Sequence, residues 1–276
     1  MIQYFQNLPV YQWINISLVI GCFLLCLILW FTGVISQQFG KYRTLPRVSR
    51  FPGSTFPTWI DEIYVLIFMA FFSFLALTNI FAEAPSEPSA ADTWLTAFIN
   101  MAMYFPFALR YMTLPMSKIA SPLRFFGYIF LGLLVVYATS SVMAILKLDE
   151  WLIEVTGSPK LQQVAHELAG CNNTSAFIAL CFSAIIVAPI MEEFAFRGFL
   201  YNVLRQRVGL VGATLASALL FSAIHVSLVQ AIPLFIFGCV QCILYEKTQS
   251  IRACIILHMI FNTIATIVLS IHSVIS

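Results

Sequence analysis

The chain has 276 residues, 61% of them hydrophobic and only 9% charged, with a mean hydropathy of +0.92. Soluble domains carry about 25% charged residues, so the composition excludes a soluble globular protein and points to the membrane. A net charge of +2 gives no ground for nucleic-acid binding.

Long unbroken apolar runs, rather than ten-residue segments of alternating hydrophobicity, read as helices and not as a β-barrel. The expected fold is all-α, a polytopic membrane helical bundle of about eight transmembrane helices. Their spans fall near residues 11–36, 58–82, 94–114, 125–146, 175–200, 211–227, 231–246 and 253–272. Residues 1–11 lack a basic n-region and the first span is too long for a signal-peptide core, so it reads as a retained helix. Spans one to four hold few polar groups. Asp61 and Glu62 lie at the mouth of the second span, and Asn79 and Asn100 are lone amides suited to interhelical hydrogen bonds. The aromatic runs 68–74 and 125–130 suit lipid contact or packing.

Residues 147–174 read as a loop, with an amphipathic interfacial stretch at 158–168 that contains His166, a solvated residue on this reading. Asn172 and Asn173 each open an N-x-S/T pattern. The sixth and seventh spans are short and meet in a tight turn at 227–233, where Pro233 suits the first turn of a helix. A re-entrant element is the alternative for that pair. The chain divides into N-terminal helices at 1–150 with no recognisable role, an extracytoplasmic loop at 151–174, and a core at 175–276.

Orientation follows from the basic residues. Of the fourteen Lys and Arg, only Lys147 and Lys160 fall on one side of this topology. The other twelve, among them Lys41, Arg43, Arg47, Arg50 and Lys118, place their side in the cytoplasm and both termini outside. The expected location is an integral multi-pass membrane protein, in the cell (inner) membrane if bacterial. The seven cysteines are scattered and give no disulfide framework. Cys239 and Cys242 form a CxxC inside an apolar helix, where both read as packing residues.

Polar groups concentrate in the last four spans. Glu192 and Glu193 are adjacent, with Arg197 one turn on from Glu193 and on its face of the helix. Glu192 points about 100° away from the face that Glu193 and Arg197 share. A carboxylate near the bilayer centre costs roughly 2.5–3.5 kcal/mol, so such residues are candidates for function. His225 stands in the sixth span after a run of small residues at 212–218. His258 and Asn262, four apart, share a face of the eighth. Taken singly, each has a structural alternative: an ion pair, a core histidine, interhelical hydrogen bonds. At about 1.5 Å per residue, Glu192 lies about 20 Å from Arg205, His225 about 21 Å from Val211, and His258 and Asn262 about 9 and 15 Å from Arg252. All four can therefore meet in the inner half of the bilayer, which helix packing alone does not require.

In order and spacing, Glu192-Glu193…Arg197, Phe221…His225 and His258…Asn262 resemble the motifs of the CAAX protease and bacteriocin-processing family, the Abi or type II CAAX prenyl endopeptidase-like glutamic proteases. The run from Arg197 through Gly198, Phe199, Leu200 and Tyr201 to Leu204 matches the usual sequel of the first motif. The resemblance covers about residues 175–265. It implies a membrane-embedded endopeptidase that works without metal or cofactor on a membrane-associated peptide or protein, prenylated or bacteriocin-like. Carried over, Glu192 and His225 would activate the water, His258 and Asn262 would stabilise the oxyanion, and Glu193 and Arg197 would support the site. Amide hydrolysis needs such a base and such donors.

Three other readings stand beside it. Glu192, His225 and His258 can be counted as three zinc ligands, although no H-E-x-x-H is present. A non-catalytic membrane scaffold or immunity protein of the same family would keep the polar residues as helix glue. A transporter would show repeats or paired broken helices, which the chain lacks.

Overall fold

The computed structural model describes residues 8–38, 58–81, 89–111, 121–159, 163–171 and 173–275. No strand occurs among the described residues. The long helices are α1 (Val10–Gln38), α2 (Thr58–Phe81), α3 (Ala90–Tyr111) and α4 (Pro122–Ile145), followed by two short ones, α5 (Leu148–Thr156) and α6 (Gln163–Ala169). Next comes α7, a composite helix over 174–201. Its Thr174–Phe182 and Ala188–Glu193 parts are α-helical, and its Ser183–Val187 and Phe194–Tyr201 parts are π-helical. Then come α8 (Asn202–Ile224), α9 (Leu228–Thr248) and α10 (Ile251–Ile275).

Six stretches among the described residues are long and apolar enough to cross a membrane: Val10–Leu29, Pro122–Ile145, Thr174–Arg205, Arg207–Ile224, Leu228–Thr248 and Ile251–Ile271. The expected count of about eight adds α2 and α3, which fold as helices of 24 and 22 residues. The protein is an all-α, multi-pass membrane bundle. Hydrocarbon offers no hydrogen bonds to the backbone, so a spanning segment must satisfy its own groups as a helix does. Large side chains such as Phe126 and Phe130 of α4 stand more than half exposed, as a lipid-facing surface requires.

The chain forms two compact units. The first is built from Met1–Ala82, Leu134–Lys160 and Leu200–Cys242, the second from Glu83–Leu133, Leu161–Phe199 and Ile243–Ser276. In the first, α1 packs on α8 and α2, and α8 also on α2. Gln12 of α1 donates to the Ile80 carbonyl (3.0 Å), and Phe221 and Phe237 stack in the core with centroids 5.9 Å apart. In the second, α7 packs on α3, α6 and α10, and α6 also on α10. Trp94 of α3 meets Phe182 of α7 at 5.7 Å.

Asn173 caps α7, its Oδ1 accepting from Ser175 N (2.9 Å) and Ala176 N (3.1 Å). The N-x-S/T asparagine is thus the residue that starts the glutamate-bearing helix. The loop expected at 147–174 holds two short helices, the second lying largely within the stretch read as amphipathic. The chain kinks at Gly209, whose φ of 76° is open to glycine.

The turn between α8 and α9 is earlier than its spacing suggests. Ser227 Oγ accepts from Gln230 N (3.3 Å), a Ser-x-x-Gln cap that starts α9 at Leu228. Pro233 therefore lies inside the helix, not in its first turn. Lys41, Arg43, Arg47, Arg50, Lys118, Lys160 and Asn172 lie outside the described residues, as do the side chains of Asp61, Glu62, Asn79, Asn100 and His166.

Close approach of α9 to α8 depends on one glycine. A Cβ on Gly238 would sit 2.9 Å from Ala218 Cα, where backbone must move. By contrast, a Cβ on Gly21 of α1 meets nothing within 4 Å. Gly238→Val is expected to cost about 1–3 kcal/mol by overpacking, read as a lower unfolding midpoint in detergent. Gly21→Ala should leave the midpoint unchanged or raise it.

Candidate functional site

Both glutamates end the short α-helical part of α7, with a π-helical segment on either side. Each π segment widens the helix and shifts the register of the residues beyond it. Such bulges are rare and occur often at functional sites. Arg197, inside the second segment, donates from Nη1 to Glu193 Oε1 at 3.0 Å, and both side chains are completely buried. His258 of α10 reaches the same oxygen, Nδ1 to Oε1, at 2.8 Å. One carboxylate oxygen thus holds a guanidinium from its own helix and an imidazole from another.

A carboxylate only accepts, so Nδ1 carries a proton; Nε2 is an acceptor while the ring is neutral and a donor when the ring is doubly protonated. Nε2 is 3.9 Å from Glu192 Oε2. That is too long for a hydrogen bond. Glu192 is 13% exposed where Glu193 is 0%, so the two neighbours differ in access as well as in partner.

Asn262, one turn beyond His258, donates from Nδ2 to the Ala184 carbonyl at 2.7 Å. Ala184 lies in the first π segment, where Ala188 N–H bonds to Ser183 O, five residues back. The corresponding donor for Ala184 would come from residue 189, which is proline and has no N–H. The asparagine supplies that bond from another helix.

Glu192, Glu193, Arg197, His258 and Asn262 all belong to the second unit; His225 belongs to the first. His225 closes α8, with Nδ1 2.7 Å from the Phe221 carbonyl and its ring 4.7 Å from the Phe221 ring. A carbonyl too only accepts, so here again Nε2 is the acceptor of the neutral ring. The next residue, Val226, has φ of 51°. A β-branched residue is strained in the left-handed region, at about 1–2 kcal/mol. The turn is held from several sides. Ser222 Oγ donates to Ala231 O (2.7 Å), and the buried Asn15 of α1 donates to Val226 O (3.4 Å).

Nothing in the motif pattern singles out Asn15, Ala184 or Pro189. The signals in the chain were an amide in an apolar first span and a proline three residues before the glutamate pair. Among the described residues no three His, Cys, Asp or Glu are grouped as ligands of one metal ion.

Residues 174–264 match the family model described as type II CAAX prenyl endopeptidase Rce1-like. The matched segment contains every one of the motif residues. A Bacillus subtilis (strain 168) protein named "Putative membrane peptidase YdiL" is 30% identical over 82 residues, which is 30% of this chain and 34% of that protein. The chain thus aligns with about a third of that curated relative's length. No solved structure matches. The resemblance read from the motifs holds over this segment.

Strain at Val226 is open to measurement. Val226→Gly is expected to raise the unfolding midpoint, because glycine adopts φ above zero without steric cost. Asn15→Ala should lower it through a loss of about 1 kcal/mol in stability, the usual net worth of a hydrogen bond. The asparagine should matter less once residue 226 is glycine. Equal effects of Asn15→Ala in both backgrounds would show that it does not brace a strained turn.

Proposed function

We propose that this chain, whose residues 174–264 match the Rce1-like model, is an intramembrane endopeptidase that cleaves a membrane-associated peptide or protein. The observation that carries this reading is the buried relay Arg197–Glu193–His258, which turns the imidazole's Nε2 toward the more exposed Glu192. A relay that served only to neutralise charge would end at Glu193 and Arg197. Here it continues to a histidine, and that histidine faces a second carboxylate.

In the proposed mechanism Glu192 is the general base. It takes a proton from water, and the hydroxide oxygen bonds to the carbonyl carbon of the scissile amide. The motif resemblance assigns His225 a part in activating water. Negative charge moves to the carbonyl oxygen, where His258 and Asn262 donate hydrogen bonds. For this donation Nε2 of His258 carries a proton as well as Nδ1, whose hydrogen bond to Glu193 orients the ring. Arg197 in turn holds the Glu193 carboxylate in place by the bond at 3.0 Å. The C–N bond then breaks, the proton held by Glu192 passes to the leaving nitrogen, and a carboxylic acid and an amine leave, the acid giving up its proton to solvent. No step requires a metal.

The basic residues favour a cytoplasmic placement of the loops that carry them. On that orientation the substrate is cleaved near the cytoplasmic face.

The test is cleavage of a peptide and lipidated-peptide library by the full chain in nanodiscs, with and without chelator. Wild type is expected to cleave in the presence of chelator, and Glu192→Gln to lose about 10²–10⁴-fold in kcat, the usual worth of a general base. Loss of activity with chelator would move the reaction to a metal-dependent class. A cellular phenotype that persists in Glu192→Gln would favour a scaffold or immunity role.

A further inference from the structure

Pro189 is the one residue of the Ala188–Glu193 segment that cannot donate a backbone hydrogen bond. Its position decides which carbonyl is left over. Bonding in the π segment runs five residues back, as from Ala188 N to Ser183 O. An N–H at 189 in that register would belong to Ala184 O. The carbonyl instead accepts from Asn262 Nδ2 at 2.7 Å. In a bilayer an orphaned carbonyl is costly, so the bond to Asn262 is strongly favoured over none.

The consequence reaches the chemistry. The two hydrogens of a carboxamide lie in one plane at fixed angles. Once the first is committed to Ala184 O, the side chain can no longer rotate freely and the direction of the second is set. Asn262 is one helical turn from His258, whose own orientation is set by Glu193. Both donors of the proposed oxyanion site are therefore aimed by groups on α7.

We propose that Pro189 is a positioning residue: by withholding an N–H it assigns the Ala184 carbonyl to Asn262, and so orients the second amide hydrogen toward the reacting oxygen. The proposal rests on the hydrolytic reading above. It differs from a structural role for proline in its sign. A proline that removes a helix's backbone donor is normally a cost, and here its removal should harm only the reaction. Pro189→Ala restores a backbone donor that competes for Ala184 O and releases Asn262.

The experiment is a double-mutant cycle on the full chain in nanodiscs with Pro189→Ala, Asn262→Ala and both together. Pro189→Ser, which also restores the N–H, serves as a second substitution. Two readouts are taken, kcat and KM on a peptide that wild type cleaves, and the unfolding midpoint. Losing one oxyanion donor usually costs about 10²–10³-fold in kcat. Pro189→Ala is expected to lose about tenfold or more of that, with KM nearly unchanged and the midpoint equal or higher. In the Asn262→Ala background it should cost no further activity. Asn262→Ala alone should lower the midpoint, and Pro189→Ala should restore it, because the new N–H takes the orphaned carbonyl. Wild-type kcat in Pro189→Ala, equal losses in both backgrounds, or additive midpoints would each overturn the proposal. If wild type cleaves nothing, the protease reading fails on its own, and the cycle in midpoints still decides whether Pro189 assigns that carbonyl to Asn262.

Discussion

The bond on which the second unit depends is the double hydrogen bond to Glu193 Oε1. A carboxylate fully buried in an apolar helix needs compensation for lost hydration, and one partner rarely suffices. Arg197 supplies charge from the same helix. His258 supplies a second donor from α10, and in doing so fixes α10 against α7. On a solvated surface the same pair would be worth little. Buried, it becomes a constraint, because removing either partner leaves an uncompensated charge that costs about 3–5 kcal/mol. The same bond orients the imidazole so that Nε2 lies on the side of Glu192.

Irregular helix geometry is the second constraint. A straight α-helix satisfies each carbonyl from within and offers none to its neighbours. The π segments of α7 break that economy, and Pro189 breaks it further by removing a donor. The bilayer does not tolerate the resulting orphan, so a side chain from α10 must serve it. Asn262 and His258 meet α7 at positions created by its departure from regular geometry and by its buried charge. The contacts between α7 and α10 are thus polar and directional, in surroundings where apolar packing has little power to specify register.

The first unit treats its own motif residue in a comparable way. His225 ends a helix, and the turn after it contains Val226 in a conformation its side chain disfavours. Such strain persists where surrounding bonds over-determine it. Here they come from Ser222, Ser227 and, 211 positions earlier in the chain, Asn15 of α1. The matched family segment starts at residue 174, yet the brace comes from the first helix. This gives α1 a physical task, which composition alone did not suggest.

The class of fold was legible in the residues themselves, because hydrophobicity is a property of the chain before it folds. Runs of apolar residues about twenty long have one stable solution in a bilayer, and the helices occur where those runs are. The pairing of Glu193 with Arg197 was equally local, since a spacing of four fixes which side chains share a face. The likeness of the core segment to the Rce1-like model could be read from ordered motifs for the same reason.

What tertiary structure alone decided were the relations between helices and the departures from regular geometry. No periodicity indicates that two donors converge on one oxygen of Glu193, or that Glu192 rather than Glu193 keeps the greater exposure. Nor does it reveal that α9 begins at Leu228 and takes Pro233 into its interior. A π turn depends on which carbonyl finds which donor, and Asn262 comes to Ala184 from 78 residues away. Sequence determines what each helix must bury; which atom answers each buried polar group is a question of position, and position exists only once the helices have packed.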